Sequence, residues 1–221
     1  MRVARVLLLI LLLCGGCATT RPGALASVQA TSDADRAGNV YLLRGFIGVF
    51  SSGINSLTEK LNAAGVRAHV YQDDQWKALA QTIRRRYAEA TAREPLVLIG
   101  HSYGADDALR IARELEKSGV VVDLLITLDP VTPPRVPKNV RRCRNYFQSN
   151  GVADRLPWLR GVPVQASTSD QVMNIDLRKD RRDLLERDTN HFNIEKNQRV
   201  HAAVLDDVLQ VCLQRTQRAA H

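Results

Sequence analysis

The chain reads PLVLIGHSYG at residues 95–104 and continues with ADDALRIAREL at residues 105–115. The first part begins with an apolar run typical of a buried strand, and the second has the apolar spacing of a helix. Between them Ser102 lies in a G-x-S-x-G turn, flanked by Gly100 and Gly104. A sharp turn of this kind holds the serine hydroxyl clear of a sheet, and the glycines avoid collisions with the adjoining strand and helix. The pattern predicts a nucleophilic serine, and a serine that only caps the helix is the alternative.

Strand and helix patterns alternate through the rest of the chain. We predict strands at residues 40–43, 66–71, 96–99, 120–128 and 142–148, and helices at residues 56–64, 76–90, 105–117 and 195–214. Continuously apolar strands separated by helices indicate an α/β fold of three layers, with a mostly parallel sheet and helices on both faces. Ligand sites of such sheets lie at the carboxyl ends of the strands.

A serine nucleophile needs a histidine that takes its proton and a carboxylate that orients the histidine. Three histidines follow Ser102 in the sequence. His221 ends the chain, and His201 lies within the predicted last helix. His191 lies in a loop just before that helix and is the predicted base, with a surface histidine as the alternative.

Two aspartates are candidates for the acid. Asp129 ends the most apolar strand and lies 27 residues after Ser102, a spacing that fits one helix and one strand. It therefore leaves the carboxyl end of the strand beside the one that carries the serine. Asp154 lies further along, in NGVADRLP at residues 150–157, a sequence typical of an exposed turn. We favour Asp129 and retain Asp154 as the alternative.

Two backbone N–H groups are needed to stabilise the negative oxygen that forms when the serine attacks. The first is expected from Tyr103, immediately after the nucleophile. The second is expected from Phe46, in the glycine-containing loop RGFIGVF at residues 44–50. A simple glycine-rich turn at the end of a strand is the alternative interpretation of this loop.

The turn around Ser102, the R-G-F-x-G loop, the L-D-P strand end and the segment NHFNI at residues 190–194 together resemble a serine α/β-hydrolase. The most similar type is the small bacterial lipase, esterase and thioesterase group, and the resemblance covers residues 39–215. It implies a hydrolase that cleaves an ester or thioester through an acyl-enzyme on Ser102. The segment between Gln148 and Thr189 has no long apolar helix that could serve as a lid, so we expect a compact, lidless domain. The placement of Asp129 resembles the pancreatic-lipase group. Acyl transfer, amide cleavage and a non-catalytic binding protein of the same fold are the alternatives.

The N-terminus has a basic start, an apolar run from Val6 to Leu13 and small residues before Cys17. This order is typical of a secretory signal. It resembles a bacterial lipoprotein signal, which implies residues 1–16 as the signal and Cys17 as the lipidated residue. Cys14 departs from that pattern, so ordinary secretion into the periplasm is the alternative to a lipid anchor in the outer membrane. We expect a flexible tether over residues 17–38, a hydrolase domain over residues 39–215 and a disordered tail over residues 216–221.

The net charge of +8 falls to +6 when Arg2 and Arg5 leave with the signal. The basic residues occur in small groups without interleaved aromatics, so nucleic-acid binding is not predicted. No metal or cofactor motif is present, and neither is expected. Cys143 and Cys212 form an even pair in an oxidising compartment, and the sequence is equally consistent with a disulfide and with two buried thiols. The oligomeric state is left open.

Overall fold

The computed structural model describes residues 22–45, 52–149 and 161–218. Six strands form one sheet in the order β2-β1-β3-β4-β5-β6, and every neighbouring pair is parallel. The strands are β1 (Asn39–Leu43), β2 (Arg67–Tyr71), β3 (Leu96–His101), β4 (Leu124–Leu128), β5 (Cys143–Phe147) and β6 (Val172–Asp176). The predicted α/β fold with a parallel sheet is confirmed.

Helices cover both faces of the sheet. They are α1 (Ser52–Ala63), α2 (Trp76–Glu89), α3 (Tyr103–Glu116), α4 (Gln198–Leu209) and the short α5 (Arg215–Arg218). Helices α2 and α3 pack on one face and α1 and α4 on the other, so the apolar core divides into two clusters. Strand β1 shows why: Tyr41 and Leu43 point into the first cluster, whereas Val40 and Leu42 point into the second. Both faces of the sheet are buried under helices, which accounts for the continuous apolar runs of the strands.

The strand order reverses at β1, which has β2 on one side and β3 on the other. A crevice at the carboxyl ends of the strands forms at such a reversal. The serine of the G-x-S-x-G turn follows β3, and the glycine-containing loop follows β1. The topology therefore places both sequence features at one crevice.

The expected tether over residues 17–38 is wrong for its described part. Residues 22–38 lie along the domain, and Val28 and Ala37 are buried. Glu94 holds this segment by accepting hydrogen bonds from the N–H groups of Ser32 (2.9 Å) and Gly38 (3.0 Å). The three scattered apolar side chains Val28, Ala30 and Ala37 show no helical or strand period, and this is why the sequence reads as a linker.

The elements differ from the predicted ones at several places. Strand β6 was not predicted, because this edge strand exposes polar and apolar residues alike and Met173 is half exposed. Strand β4 starts at Leu124 instead of residue 120. The predicted helix over residues 195–214 is interrupted at Asn197, whose side chain accepts hydrogen bonds from the N–H groups of Arg199 and Val200 and so begins α4.

The disulfide considered for Cys143 and Cys212 does not form. Both are free, buried thiols. Cys143 lies in the core cluster on one face of the sheet, and Cys212 lies in the cluster on the other face. A disulfide requires Cα atoms within about 7 Å, and a sheet separates these two. Burial raises the pKa of both thiols to about 12, so both are held protonated.

Within the described ranges, no helix has the length and apolar character that a membrane crossing requires.

Candidate active site

Ser102 occupies a strained turn between β3 and α3. Its backbone has φ 56° and ψ −127°, a conformation that serine rarely adopts. A Cβ on Gly100 would collide with the backbone of Gly104, and a Cβ on Gly104 would collide with the carbonyl groups at the end of β1. The two glycines thus permit β1, β3 and α3 to approach closely. This packing places Ser102 at the carboxyl edge of the sheet.

His191 lies beside the serine, in the loop before α4. Its Nε2 is 3.1 Å from the Oγ of Ser102, within hydrogen-bond distance. Both side chains are buried, with exposed fractions of 4% for His191 and 9% for Ser102. The hydroxyl can therefore donate to Nε2, which is the arrangement that lets a histidine take the proton of a nucleophile.

His101, which precedes the serine, anchors the histidine loop. Its Nε2 lies 2.9 Å from the carbonyl oxygen of His191, and because a carbonyl accepts, this nitrogen carries the proton. Burial and the neighbouring His191 lower the pKa of His101 to about 3, so its ring is neutral. His101 acts on the backbone of His191 and leaves the ring of His191 free to face Ser102.

Asp129 lies on the other side of the His191 ring. Its Oδ2 is 3.5 Å from Nδ1 of His191, longer than a hydrogen bond. Catalytic hydrogen bonds of an unliganded site are often long and shorten when substrate binds. Asp129 has a φ of 46°, which aspartate tolerates better than most residues, and this turns its carboxylate toward the histidine.

Gln148 and Gly161 hold the carboxylate of Asp129 in place. The N–H of Gln148 donates to Oδ1 (2.8 Å), and its side-chain amide donates to Oδ2 (3.3 Å). A Cβ on Gly161 would collide with Oδ1. Burial raises the pKa of Asp129, while His191 and Gln148 oppose that shift. A fully buried carboxylate with these partners is oriented toward one neighbour, His191.

Asp106 connects the helix after the serine to the loop after Asp129. It is fully buried and accepts hydrogen bonds from the N–H groups of Val131 (3.1 Å) and Thr132 (2.8 Å) and from the hydroxyl of Thr132 (3.0 Å). Ser102 and Asp129 therefore belong to one hydrogen-bonded unit, although they follow different strands.

Of the two N–H groups predicted to stabilise the oxyanion, only that of Tyr103 belongs to a residue that the structure describes. Tyr103 is the first residue of α3, so its N–H lies at a helix N-terminus beside Ser102. Phe46 lies outside the described residues, as do Asp154 and Cys17. Gly45, at the start of the same loop, is described, and a Cβ on it would lie 3.2 Å from the Cβ of Ser102. The loop after β1 thus leaves the sheet directly against the serine.

Several contributors to this site besides Asp106 were not predicted from the sequence. His101 is an unassigned position of the G-x-S-x-G pattern, Gln148 ends a predicted strand, and Gly161 lies in a long connection. A signal existed for Gln148, because a polar residue at the carboxyl end of β5 must lie at the site edge. His201, the next histidine after His191, is buried elsewhere, and its Nε2 donates a hydrogen bond to the carbonyl oxygen of Glu195.

No cluster of three or more histidine, cysteine, aspartate or glutamate side chains suited to a metal occurs among the residues that the structure describes.

The topology, the strained serine turn and the adjoining histidine are those of an α/β-hydrolase. The family model of the thioesterase domain matches residues 46–220, which is most of the chain. The chain therefore belongs to the thioesterase domain family and is a hydrolase of the esterase or thioesterase type. No curated protein matches the sequence.

Several solved structures are similar. A cutinase-like protein from Cryptococcus sp. has 12% identity and a TM-score of 0.45, covering 78% of this chain and 93% of that one. Est1E from Butyrivibrio proteoclasticus has 12% identity and a TM-score of 0.46, with coverages of 80% and 89%. A serine hydrolase without a lid from Xanthomonas campestris has 16% identity and a TM-score of 0.45, covering 86% of each chain. The family assignment rests on the family model, and the fold rests on the topology.

Proposed function

We propose that this protein is a serine hydrolase that cleaves a carboxylic ester or thioester through an acyl-enzyme on Ser102. The observation that carries the proposal is the 3.1 Å approach of the Ser102 hydroxyl to Nε2 of His191 at a strained turn. The distance of 3.5 Å between Oδ2 of Asp129 and Nδ1 of the same ring supports Asp129 as the orienting acid. The family match favours a thioester among the two bond types.

In the first half of the proposed reaction, Oγ of Ser102 attacks the acyl carbonyl carbon while its proton passes to Nε2 of His191. The carbonyl oxygen becomes an oxyanion, which the N–H groups of Tyr103 and Phe46 would stabilise. The carbon–sulfur or carbon–oxygen bond then breaks, and the leaving group takes the proton from His191. Asp129 stabilises the imidazolium during these steps.

In the second half, a water gives its proton to His191 and attacks the acyl carbon on Ser102. The serine oxygen leaves with the same proton, and the carboxylic acid is released. If another alcohol, amine or thiol took the place of water, the same site would transfer the acyl group. Transfer and amide cleavage are therefore the competing outcomes of an assay.

The test is hydrolysis of a matched series of acyl thioesters and p-nitrophenyl esters by the wild type and by Ser102→Ala. We expect Ser102→Ala to lower kcat/KM by at least about 10³-fold, because the substitution removes the hydroxyl that would form the acyl-enzyme. Ser118→Ala, at an exposed serine beyond α3, is the matched control and should retain wild-type turnover. Equal turnover by the wild type and Ser102→Ala would contradict the proposal and favour a binding protein.

We also propose that Cys17 carries lipid and that the protein acts in the bacterial cell envelope, anchored to the outer membrane and facing the periplasm. The support is the N-terminal sequence, in which a basic start and a short apolar run precede Gly15-Gly16-Cys17. The intact mass of the purified chain tests this, since lipidation adds the mass of the acyl chains to a product that starts at Cys17. A product without that mass would indicate a secreted, soluble protein.

A further inference from the structure

Residues 22–38 run along the domain in a definite direction. At one end, the N–H of Gly23 donates to the carbonyl oxygen of Val70, one residue before the carboxyl end of β2. At the other end, the N–H of Arg36 donates to Gly65, ahead of β2, and Gly38 leads into β1. The segment therefore passes from the carboxyl edge of the sheet to its amino edge. The chain enters the domain at the edge where Ser102 lies.

The reach from Cys17 to this entry point is short. Only residues 18–21 separate Cys17 from Pro22, and five residue steps span at most about 18 Å. The sequence predicted a tether that ended at residue 38, which would have left the domain free to rotate away from a membrane. The packing of residues 22–38 removes most of that freedom. A lipid on Cys17 would hold the carboxyl edge of the sheet within about 18 Å of a bilayer surface.

The same edge carries exposed aromatic side chains. Three large apolar side chains are exposed among the described residues: Tyr103 (37%), Met173 (50%) and Phe192 (53%). Tyr103 follows Ser102 and Phe192 follows His191, so two of the three lie at the mouth of the site. The Phe192 ring packs edge-on against His191, with centroids 5.5 Å apart. Tyrosine is enriched where proteins meet the interface of a bilayer, and phenylalanine is common on the apolar face of helices that lie in that interface.

We propose that the carboxyl edge of the sheet, with Tyr103 and Phe192 at its surface, rests on the lipid bilayer and takes its acyl substrate from that surface. The inference rests on the proposed function and on the lipid at Cys17, and it adds the orientation of the site and the class of substrate. The substrate is an acyl ester or thioester whose acyl chain lies in the membrane, reached past Phe192 without leaving the interface.

The test uses the full lipidated chain in vesicles of phosphatidylethanolamine and phosphatidylglycerol that contain a nitroxide-labelled phosphatidylcholine. Phe192→Cys carries a bimane fluorophore, and Ser118→Cys, at the amino edge beyond α3, carries the same fluorophore as the matched control. Cys143 and Cys212 are 1% and 0% exposed, so they do not take the label. We expect quenching at position 192 to exceed quenching at position 118 by at least about threefold, because interfacial residues penetrate by about 5–10 Å.

Equal quenching at the two positions, or stronger quenching at position 118, would overturn the orientation. A purified chain without lipid mass on Cys17 would overturn it as well. Hydrolysis of a water-soluble acyl thioester by the unlabelled wild type is measured in parallel. Failure of that hydrolysis with strong quenching at position 192 would reject the proposed function and leave the orientation standing.

Discussion

At the scale of single residues, the site depends on backbone positions that tolerate no side chain as much as on reactive groups. Gly100 and Gly104 allow the serine turn, and Gly161 leaves room for the carboxylate of Asp129. The places of Ser102, His191 and Asp129 could be predicted, because each follows or precedes the end of a recognisable element. Gly161 could not, because its requirement arises only when residues far apart in the sequence meet.

Gly161→Ala tests the packing on Asp129. Its methyl group would collide with Oδ1, so Asp129 must shift away from His191, and we expect kcat to fall by about 10–100-fold with little change in KM. Gly119→Ala is the matched control: it strains a backbone with φ 67° but meets no atom within 4 Å. It should lower stability and leave kcat unchanged. Wild-type kcat for Gly161→Ala would contradict the role assigned to this glycine.

At the scale of elements, the sequence predicted the sheet well and the ends of helices less well. The apolar runs of β1, β3 and β4 need burial on both faces, and this gives a strong signal. Helix α1 begins at Ser52, four residues before the predicted start, because its first turn packs against the fully buried Glu195 instead of displaying an apolar period. The start of α1 therefore depends on a tertiary contact, and such a contact cannot be predicted from the local sequence pattern.

Glu195 gives this contact a pH dependence. Burial raises its pKa from 4.5 to about 7, against opposing effects of Lys196 and the backbone of Gly53. The carboxyl is protonated in both states below pH 4.5. Between pH 4.5 and 7 the unfolded chain ionises first, so the folded state loses stability as pH rises, and the loss is complete above pH 7.

Glu195→Gln should abolish the loss of stability between pH 4.5 and 7, since an amide does not ionise. We expect the variant to exceed the wild type in the free energy of unfolding by about 1–3 kcal/mol at pH 8, with the advantage absent at pH 4. Urea denaturation at the two pH values measures it. Glu89→Gln, at an exposed glutamate of α2, is the control and should give the same difference from wild type at both. A pH-independent effect at position 195 would contradict the account.

At the scale of the whole molecule, the domain includes residues that look like a linker. Residues 22–38 bury Val28, supply partners to Glu94 and lie beside Arg215, which pairs with Glu94 at 2.7 Å. The predicted boundary at residue 39 followed the start of the first apolar run. Isolated apolar residues in a polar stretch contribute burial that no periodic pattern displays, and so the sequence alone placed the boundary too late.

A chain that starts at Asn39 should therefore be less stable than one that starts at Pro22. The shorter chain loses the burial of Val28, Ala30 and Ala37 and leaves Glu94 with fewer partners. We expect its free energy of unfolding to be lower by about 2–4 kcal/mol, measured by urea denaturation followed by circular dichroism. Equal denaturation midpoints would show that residues 22–38 are a tether after all.

The most direct test of the central claim is the site of covalent modification by a fluorophosphonate, mapped by mass spectrometry of the digested protein. A serine activated by His191 reacts with this probe, whereas an ordinary serine does not. We predict one adduct, on Ser102, that is lost in His191→Gln and retained in Ser118→Ala. An unmodified Ser102 in the folded wild type, or an adduct on Ser102 that persists in His191→Gln, would contradict the account of Ser102 as a nucleophile activated by His191.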